Sequence, residues 1–236
     1  MAGVSGERRA GITFGRVALF GGCFDPIHTG HVMVAEGALD AAGLDQVTLA
    51  PAGVPPHKRT QDLAPAFHRL RMTQLAVEDN PRLSVWDYEV RRADVSYTID
   101  TVRAWQKQWG ASEPAPFLIG ADSVRELALW RDVEALFQVC RFIPFARPGF
   151  ALEPPKELVA KVGARPVEEM LSRVINIPLV DVSSTEIRRR VAAGRSIRYL
   201  APAPVVSYIE AHQLYRGVSS RTDSAEFRHC RGCVKR

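Results

Sequence analysis

The sequence predicts an α/β protein: an open parallel sheet with helices on both faces. Three observations carry that expectation. Strand-like and helix-like segments alternate along the chain at the spacing of βαβ units. No internal repeat or long linker interrupts the alternation. The chemically unusual segments sit where strands should end, which is where ligands collect in open parallel sheets.

Each element follows from its local pattern. "RVALFGG" (16–22) is a short β-type run ended by glycines, and residues 29–43 carry a helical pattern closed by Gly43. "QVTLAP" (46–51) is the next strand, followed by the loop "AGVPPHKRTQ". A helix is expected over 65–79, an extended segment over 83–90 and a helix over 97–109. "APFLIGAD" (115–122) is a strand running into a loop, and 123–137 is helical. "CRFIPFARPG" (140–149) reads as strand and turn, and 173–184 as extended. Helices over 184–193 and 203–213 complete the pattern. The expected organisation is a flexible segment over 1–15, one domain over 16–216 and a basic, disordered tail over 217–236.

Composition narrows the function classes. The chain has 236 residues, 46% hydrophobic and 24% charged, as an ordinary globular domain does. No stretch reaches the roughly 18 apolar residues of a membrane span, and no export signal is complete, so a cytoplasmic location is expected. The net charge of +5 sits mostly at the ends: residues 217–236 carry +3 and residues 1–15 carry +1. The central domain is nearly neutral, which argues against a nucleic-acid surface but leaves room for a local anion pocket. The four cysteines are too few and too dispersed for a disulfide scaffold. "HCRGC" (229–233) is half of what a zinc site needs, and a loose tail is the simpler reading.

The sharpest signal is "GGCFDPIHTGH" (21–31). If a helix begins near Thr29, His28 and His31 lie one turn apart on one side of its positive end. Gly21 and Gly22 let a ligand approach the backbone, and Pro26 stiffens the turn. Backbone N–H groups, a helix dipole and two imidazoles suit a polyphosphate. Zinc chelation by the histidines lacks a third ligand at a usual spacing, so no protein-bound metal site is expected. "SSTEIR" (183–188) offers a second helix start with hydroxyls and Arg188; its serines equally suit an N-cap.

The spacing "HTGH" is the form HxGH, and the chain resembles the HxGH nucleotidyltransferases, more closely the bacterial nicotinate-mononucleotide adenylyltransferases. The resemblance covers residues 16 to about 215 and rests on "GGCFDPIHTGH", "PPHK", "SYTIDT", "GADSVRELALW", "FARPG" and "SSTEIR", in that order. It implies a Rossmann-like sheet of the nucleotidyltransferase type. It also implies adenylyl transfer from ATP, bound with Mg²⁺, to nicotinate mononucleotide, giving deamido-NAD and pyrophosphate. Carried residue by residue, it places His28, His31, Lys58 and Arg188 in catalysis. The ATP site would comprise Gly21, Gly22, Cys23, Phe24, His28, His31, Gly120, Asp122, Ser183, Ser184, Thr185 and Arg188. The nicotinate mononucleotide site would comprise His57, Lys58, Tyr97, Thr98, Trp130 and Arg147.

Residue chemistry alone leaves alternatives beside those roles. Lys58 is equally a solvated loop lysine, and Trp130 unaided reads as core. Arg147 reads as a turn-flanking charge, and Asp122 as the cap of a helix starting near Ser123. Cys23 stands where the family usually has threonine, a stronger donor. The rival functions are another HxGH adenylyl- or cytidylyltransferase and a nucleotide-binding regulator without turnover. Neither nucleic acid nor membrane is an expected partner, and the sequence leaves monomer and homo-oligomer both open.

Overall fold

β1 (Val17–Gly22) lies inside a six-stranded parallel sheet of order β3-β2-β1-β4-β5-β6, and that position explains its composition. Val17 and Leu19 face one core while Ala18 and Phe20 face the other, so the strand must be apolar on both sides. The computed structural model describes residues 12–55, 63–92, 94–146, 152–178 and 180–216. Its other strands are β2 (Gln46–Pro51), β3 (Leu83–Val85), β4 (Ala115–Gly120), β5 (Cys140–Ala146) and β6 (Ile175–Asn176). The chain first builds outward from β1 through β2 to β3, then returns to β1's other edge with β4. The switch point therefore lies between the carboxyl ends of β1 and β4.

Helices cover both faces, as expected. On one face pack α1 (Thr29–Ala41), α2 (Ala66–Val77), α9 (Ser184–Ala192) and α10 (Ala203–Ala211), through residues such as Leu39, Met72, Ile187 and Val205. On the other pack α4 (Thr98–Trp109), α5 (Ala121–Glu126), α6 (Val133–Val139), α7 (Lys156–Val162) and α8 (Ala164–Leu171). α4 buries Ile99, Val102 and Trp105 one face-width apart and closes on Gly110 in the left-handed region at φ 62°. A four-residue helix, α3 (Tyr88–Arg91), lies near β2. Among the described residues no helix is long and apolar enough to cross a membrane.

Four expectations need correction. Only Leu83–Val85 of the extended 83–90 segment is strand, because β3 pairs with β2 alone; after Trp86 donates to the Leu49 carbonyl the chain coils into α3. Among the described residues of the extended 173–184 segment, only Ile175–Asn176 pair as strand, against Phe145 and Ala146 at the end of β5. Gly120 is the N-cap of α5, so Asp122 lies in its first turn instead of capping it. The single helix expected over 123–137 breaks at Trp130–Asp132, where Asp132 takes φ 52°. Helices α7 and α8, joined at Gly163 with φ 89°, had no counterpart in the sequence pattern.

Candidate active site

A cleft of about 730 Å³ opens at the switch point, floored by the ends of β1 and β4. The first turns of α1, α4, α5 and α9 reach it through Gly30, Thr98, Asp122 and Thr185. Four positive helix ends thus converge on one cavity. A smaller cavity of about 460 Å³ lies at the opposite end of the sheet, lined by Arg141, Arg173, Glu113 and Glu169. The two signs balance there, and Glu169 is already paired with Arg165 and Arg173.

His28 is the N-cap of α1 and His31 its third residue, so the two rings stack, 3.7 Å between centroids and 25° apart. His31 Nδ1 accepts from the His28 backbone N–H at 3.2 Å. That bond assigns the His31 proton to Nε2 and makes the outer edge of the ring a donor. His28 Nδ1 is buried without a hydrogen-bond partner among the described residues. Burial lowers the His28 pKa to about 4 and, together with neighbouring His28, holds His31 well below its ordinary range. Both imidazoles are therefore neutral donors at pH 7.

The start of α1 is less open than a dipole argument suggests. Thr29 N–H donates to the Leu200 carbonyl and its hydroxyl to the Tyr199 carbonyl, while His31 N–H returns to His28. Of these three N–H groups, only Gly30's has no acceptor among the described residues. At α9 the Ser183 hydroxyl caps Glu186 N–H, a contact worth about 0.5–2 kcal/mol. The Ser184 hydroxyl donates to the Pro26 carbonyl and so ties α9 to the β1–α1 loop. Ser184 and Thr185 N–H groups are left as the open donors of that helix.

The Arg188 guanidinium, partly exposed, bonds the Thr185 hydroxyl at the cleft edge at 3.4 Å and Asp25 on its inner side. It donates to the Asp25 carbonyl at 2.7 Å and lies 3.5 Å from the Asp25 carboxylate. Asp25 is buried, and its other oxygen accepts from Ala64 N–H and the Tyr215 hydroxyl. The structure thus places Arg188 as an anchor of the loop that carries the histidines.

The opposite wall is aromatic and acidic. Trp130, half-buried in the break between α5 and α6, lies edge-on to Phe117 and lines the cleft. The Arg131 guanidinium covers the Tyr97 ring at 4.5 Å. Glu89 also lines this wall and accepts from the Thr101 hydroxyl at 2.6 Å. Burial pushes the Glu89 carboxyl up, against the pull of Thr101 and Arg69. Thr98 and Ile99, first in α4, have no intrahelical acceptor for their N–H groups.

Of the residues the sequence singles out, Gly21, Gly22, Cys23, His28, His31, Tyr97, Thr98, Gly120, Asp122, Trp130, Ser183, Ser184 and Thr185 come together in the lining of this cleft. Phe24 does not. At φ 47° its ring turns under Gly22 into the core, 2% exposed, and meets His31 edge-on at 5.1 Å. It supports the histidine and is too deeply buried to line an ATP site. His57, Lys58 and Arg147 lie outside the described residues, as do Cys230 and Cys233.

Sequence reasoning missed Glu89, Arg131 and, above all, Arg69. Arg69 is 2% exposed and spends every hydrogen bond on carbonyls, those of Ala64, Cys23, Ala52 and Gly53. A buried cation costs several kcal/mol unless it is well satisfied. No sequence signal set it apart, because the buried face of α2 mixes Met72, Ala76 and Val77 with the polar His68 and Thr73.

Comparison with known proteins identifies the family and the fold. The model of the cytidylyltransferase-like family matches residues 19–190. A probable nicotinate-nucleotide adenylyltransferase of Symbiobacterium thermophilum is 45% identical over 205 residues, covering 86% of this chain and 97% of the relative. One from Yersinia pestis is 43% identical over 211 residues, covering 85% and 95%. Among solved structures, the Plasmodium falciparum nicotinic acid mononucleotide adenylyltransferase complexed with NaAD aligns with TM-score 0.65 at 18% identity. That alignment covers 84% of this chain and 96% of the other, and at such identity it speaks for the fold.

Proposed function

Because the chain belongs to the cytidylyltransferase-like family, we propose that it is a nicotinate-nucleotide adenylyltransferase, joining the AMP moiety of ATP to nicotinate mononucleotide in NAD biosynthesis. The observation that carries this reading is the stacked His28–His31 pair at the switch point, with the open N–H groups of α9 lining the same cleft. In the proposed reaction a phosphate oxygen of the mononucleotide attacks the α-phosphorus of ATP in line, and pyrophosphate leaves. The nucleophile is already anionic, so neither a general base nor a covalent enzyme intermediate is required. Catalysis is positioning plus stabilisation of charge at the α-phosphate and the leaving group. His31 Nε2–H, the His28 ring and the Ser184 and Thr185 N–H groups are the donors we assign to that task. Arg188, through Asp25, keeps the histidine loop in place.

Among the described residues no three His, Cys, Asp or Glu side chains converge as a metal cage. A magnesium ion carried by the triphosphate would instead meet the cleft at Asp122, whose exposed carboxylate suits a metal-bound water. When bound, the ion would neutralise phosphate charge. A cytoplasmic location, where ATP and the mononucleotide meet, belongs to the same proposal.

The acceptor's pyridine ring is assigned to Trp130, and its carboxylate to the first N–H groups of α4 beside Tyr97. A carboxylate accepts at both oxygens, whereas an amide turns an NH₂ toward one donor and leaves it unpaired. That mismatch costs about 1–3 kcal/mol, or roughly ten- to a hundredfold in kcat/KM. The test measures pyrophosphate release with ATP, magnesium and nicotinate mononucleotide, then with nicotinamide mononucleotide, then with CTP in place of ATP. Rapid release with the first mixture and at least tenfold lower kcat/KM with the amide are expected. Release with CTP alone would overturn the adenylyl assignment, and equal values for acid and amide would overturn the carboxylate site.

A further inference from the structure

Arg69 lies on α2, outside the cleft lining, yet its guanidinium touches the backbone of the histidine loop and of the β2–α2 connection, whose Cys23 and Ala52 line the cleft. Nε donates to the Ala64 carbonyl at 3.0 Å. One terminal nitrogen donates to Cys23 at 2.8 Å and Ala52 at 2.6 Å, and the other donates to Gly53 at 2.8 Å. Cys23 belongs to the β1–α1 loop, whereas Ala52, Gly53 and Ala64 are the two ends of the β2–α2 connection. A single planar group therefore joins both loops. One further contact holds the two loops together, Ala52 N–H donating to the Gly22 carbonyl; Gly53 in turn abuts the backbone of Glu89 in α3 so closely that a Cβ there would collide with it.

The chemistry of this junction requires a fork. Three N–H edges in fixed geometry meet four carbonyls arriving from different directions. A lysine ammonium radiates its donors from one atom and cannot reach carbonyls so placed. An apolar residue would leave them unpaired. No ion pair reaches Arg69 among the described residues; Asp25 and Glu89 attract it only from farther away.

We propose that Arg69 is a positioning residue for adenylyl transfer: it sets the spacing between the β1–α1 loop and the β2–α2 connection where both meet the cleft, and thereby the alignment of the two substrates. The proposal rests on the transferase reading above and adds to it a residue that touches neither substrate. A shift of the order of 1 Å between reactants lowers turnover by about a hundredfold while leaving each binding contact largely intact.

The test compares wild type, Arg69→Lys and Arg69→Met in the same pyrophosphate assay, well below their melting temperatures. Binding of ATP and of nicotinate mononucleotide is titrated separately. Wild-type turnover with these substrates tests the transferase reading by itself. For Arg69 the expected result is a fall in kcat of roughly ten- to a hundredfold in both variants, with each substrate's affinity changed less than about threefold. Full recovery of kcat in Arg69→Lys would overturn the proposal, since charge without the fork would then suffice. So would a loss of activity that only tracks the unfolded fraction, a change confined to KM, or failure of both variants to fold.

Discussion

The two walls of the cleft differ in how far their polar groups are already committed. On the histidine side nearly every one is engaged within the protein. His31 Nδ1 is held by His28 N–H, Ser183 caps α9, Ser184 bonds Pro26 and Arg188 bonds Asp25. What remains for a ligand is a small set of donors whose directions are fixed in advance. On the opposite wall the surfaces are broader: the half-buried Trp130, and Tyr97 under Arg131. Stabilising charge that develops in a transition state requires donors that need not reorganise. Holding a ring requires area and shape instead. On the proposed reading, rate belongs to the histidine wall and acceptor affinity to the other.

Replacing His28 or His31 with alanine should break that division most severely. A drop in kcat of roughly ten- to a thousandfold is expected, as for lost oxyanion donors, with cooperative unfolding retained. Steady-state kinetics beside a thermal melt checks it, and near-normal turnover in a folded double variant would remove the histidines from catalysis.

Acidification probes the same wall through stability. His28 is neutral in the fold down to about pH 4, whereas its unfolded counterpart takes up a proton below about 6.5. The stability it contributes is complete above the unfolded value and is lost as pH falls from about 6.5 toward 4. The loss amounts to about 3 kcal/mol. Denaturant titrations between pH 7 and 4 should show a shallower loss for His28→Asn than for wild type. Identical slopes would mean that burial of this ring does not govern acid sensitivity.

Trp130→Ala sharpens the other side with the smallest effect. Removing a ring stack of about 0.5–1.5 kcal/mol should raise KM for nicotinate mononucleotide roughly three- to tenfold. KM for ATP should stay within twofold. A change in KM for ATP instead would show that the two walls share one task.

The histidine wall was legible in advance because its information is local. His28, His31 and the glycines lie within eleven consecutive residues, and their spacing states its own geometry once a helix starts at Thr29. The sheet was legible for a similar reason, since alternating strand and helix patterns admit few arrangements. Where the reading failed, packing against the core or a strand partner decided against the local pattern. Phe24 looked like part of a nucleotide loop, but the core offers it Phe20 and the underside of His31. Residues 83–90 looked extended, but β3 has only β2 as a partner.

The sequence by itself determined the parallel α/β class, and it pointed to the carboxyl ends of the strands, where the cleft opens, and to the histidine pair that lines it. Those properties follow from backbone periodicity and from residues separated by one helical turn. Tertiary structure alone decided that the histidines are neutral, that Arg188 bonds Asp25 across 163 positions, and that Arg69 joins two loops. Such outcomes depend on which carbonyls and carboxylates lose their water when distant segments meet. No local pattern records that, because desolvation and partner geometry exist only once the chain is folded.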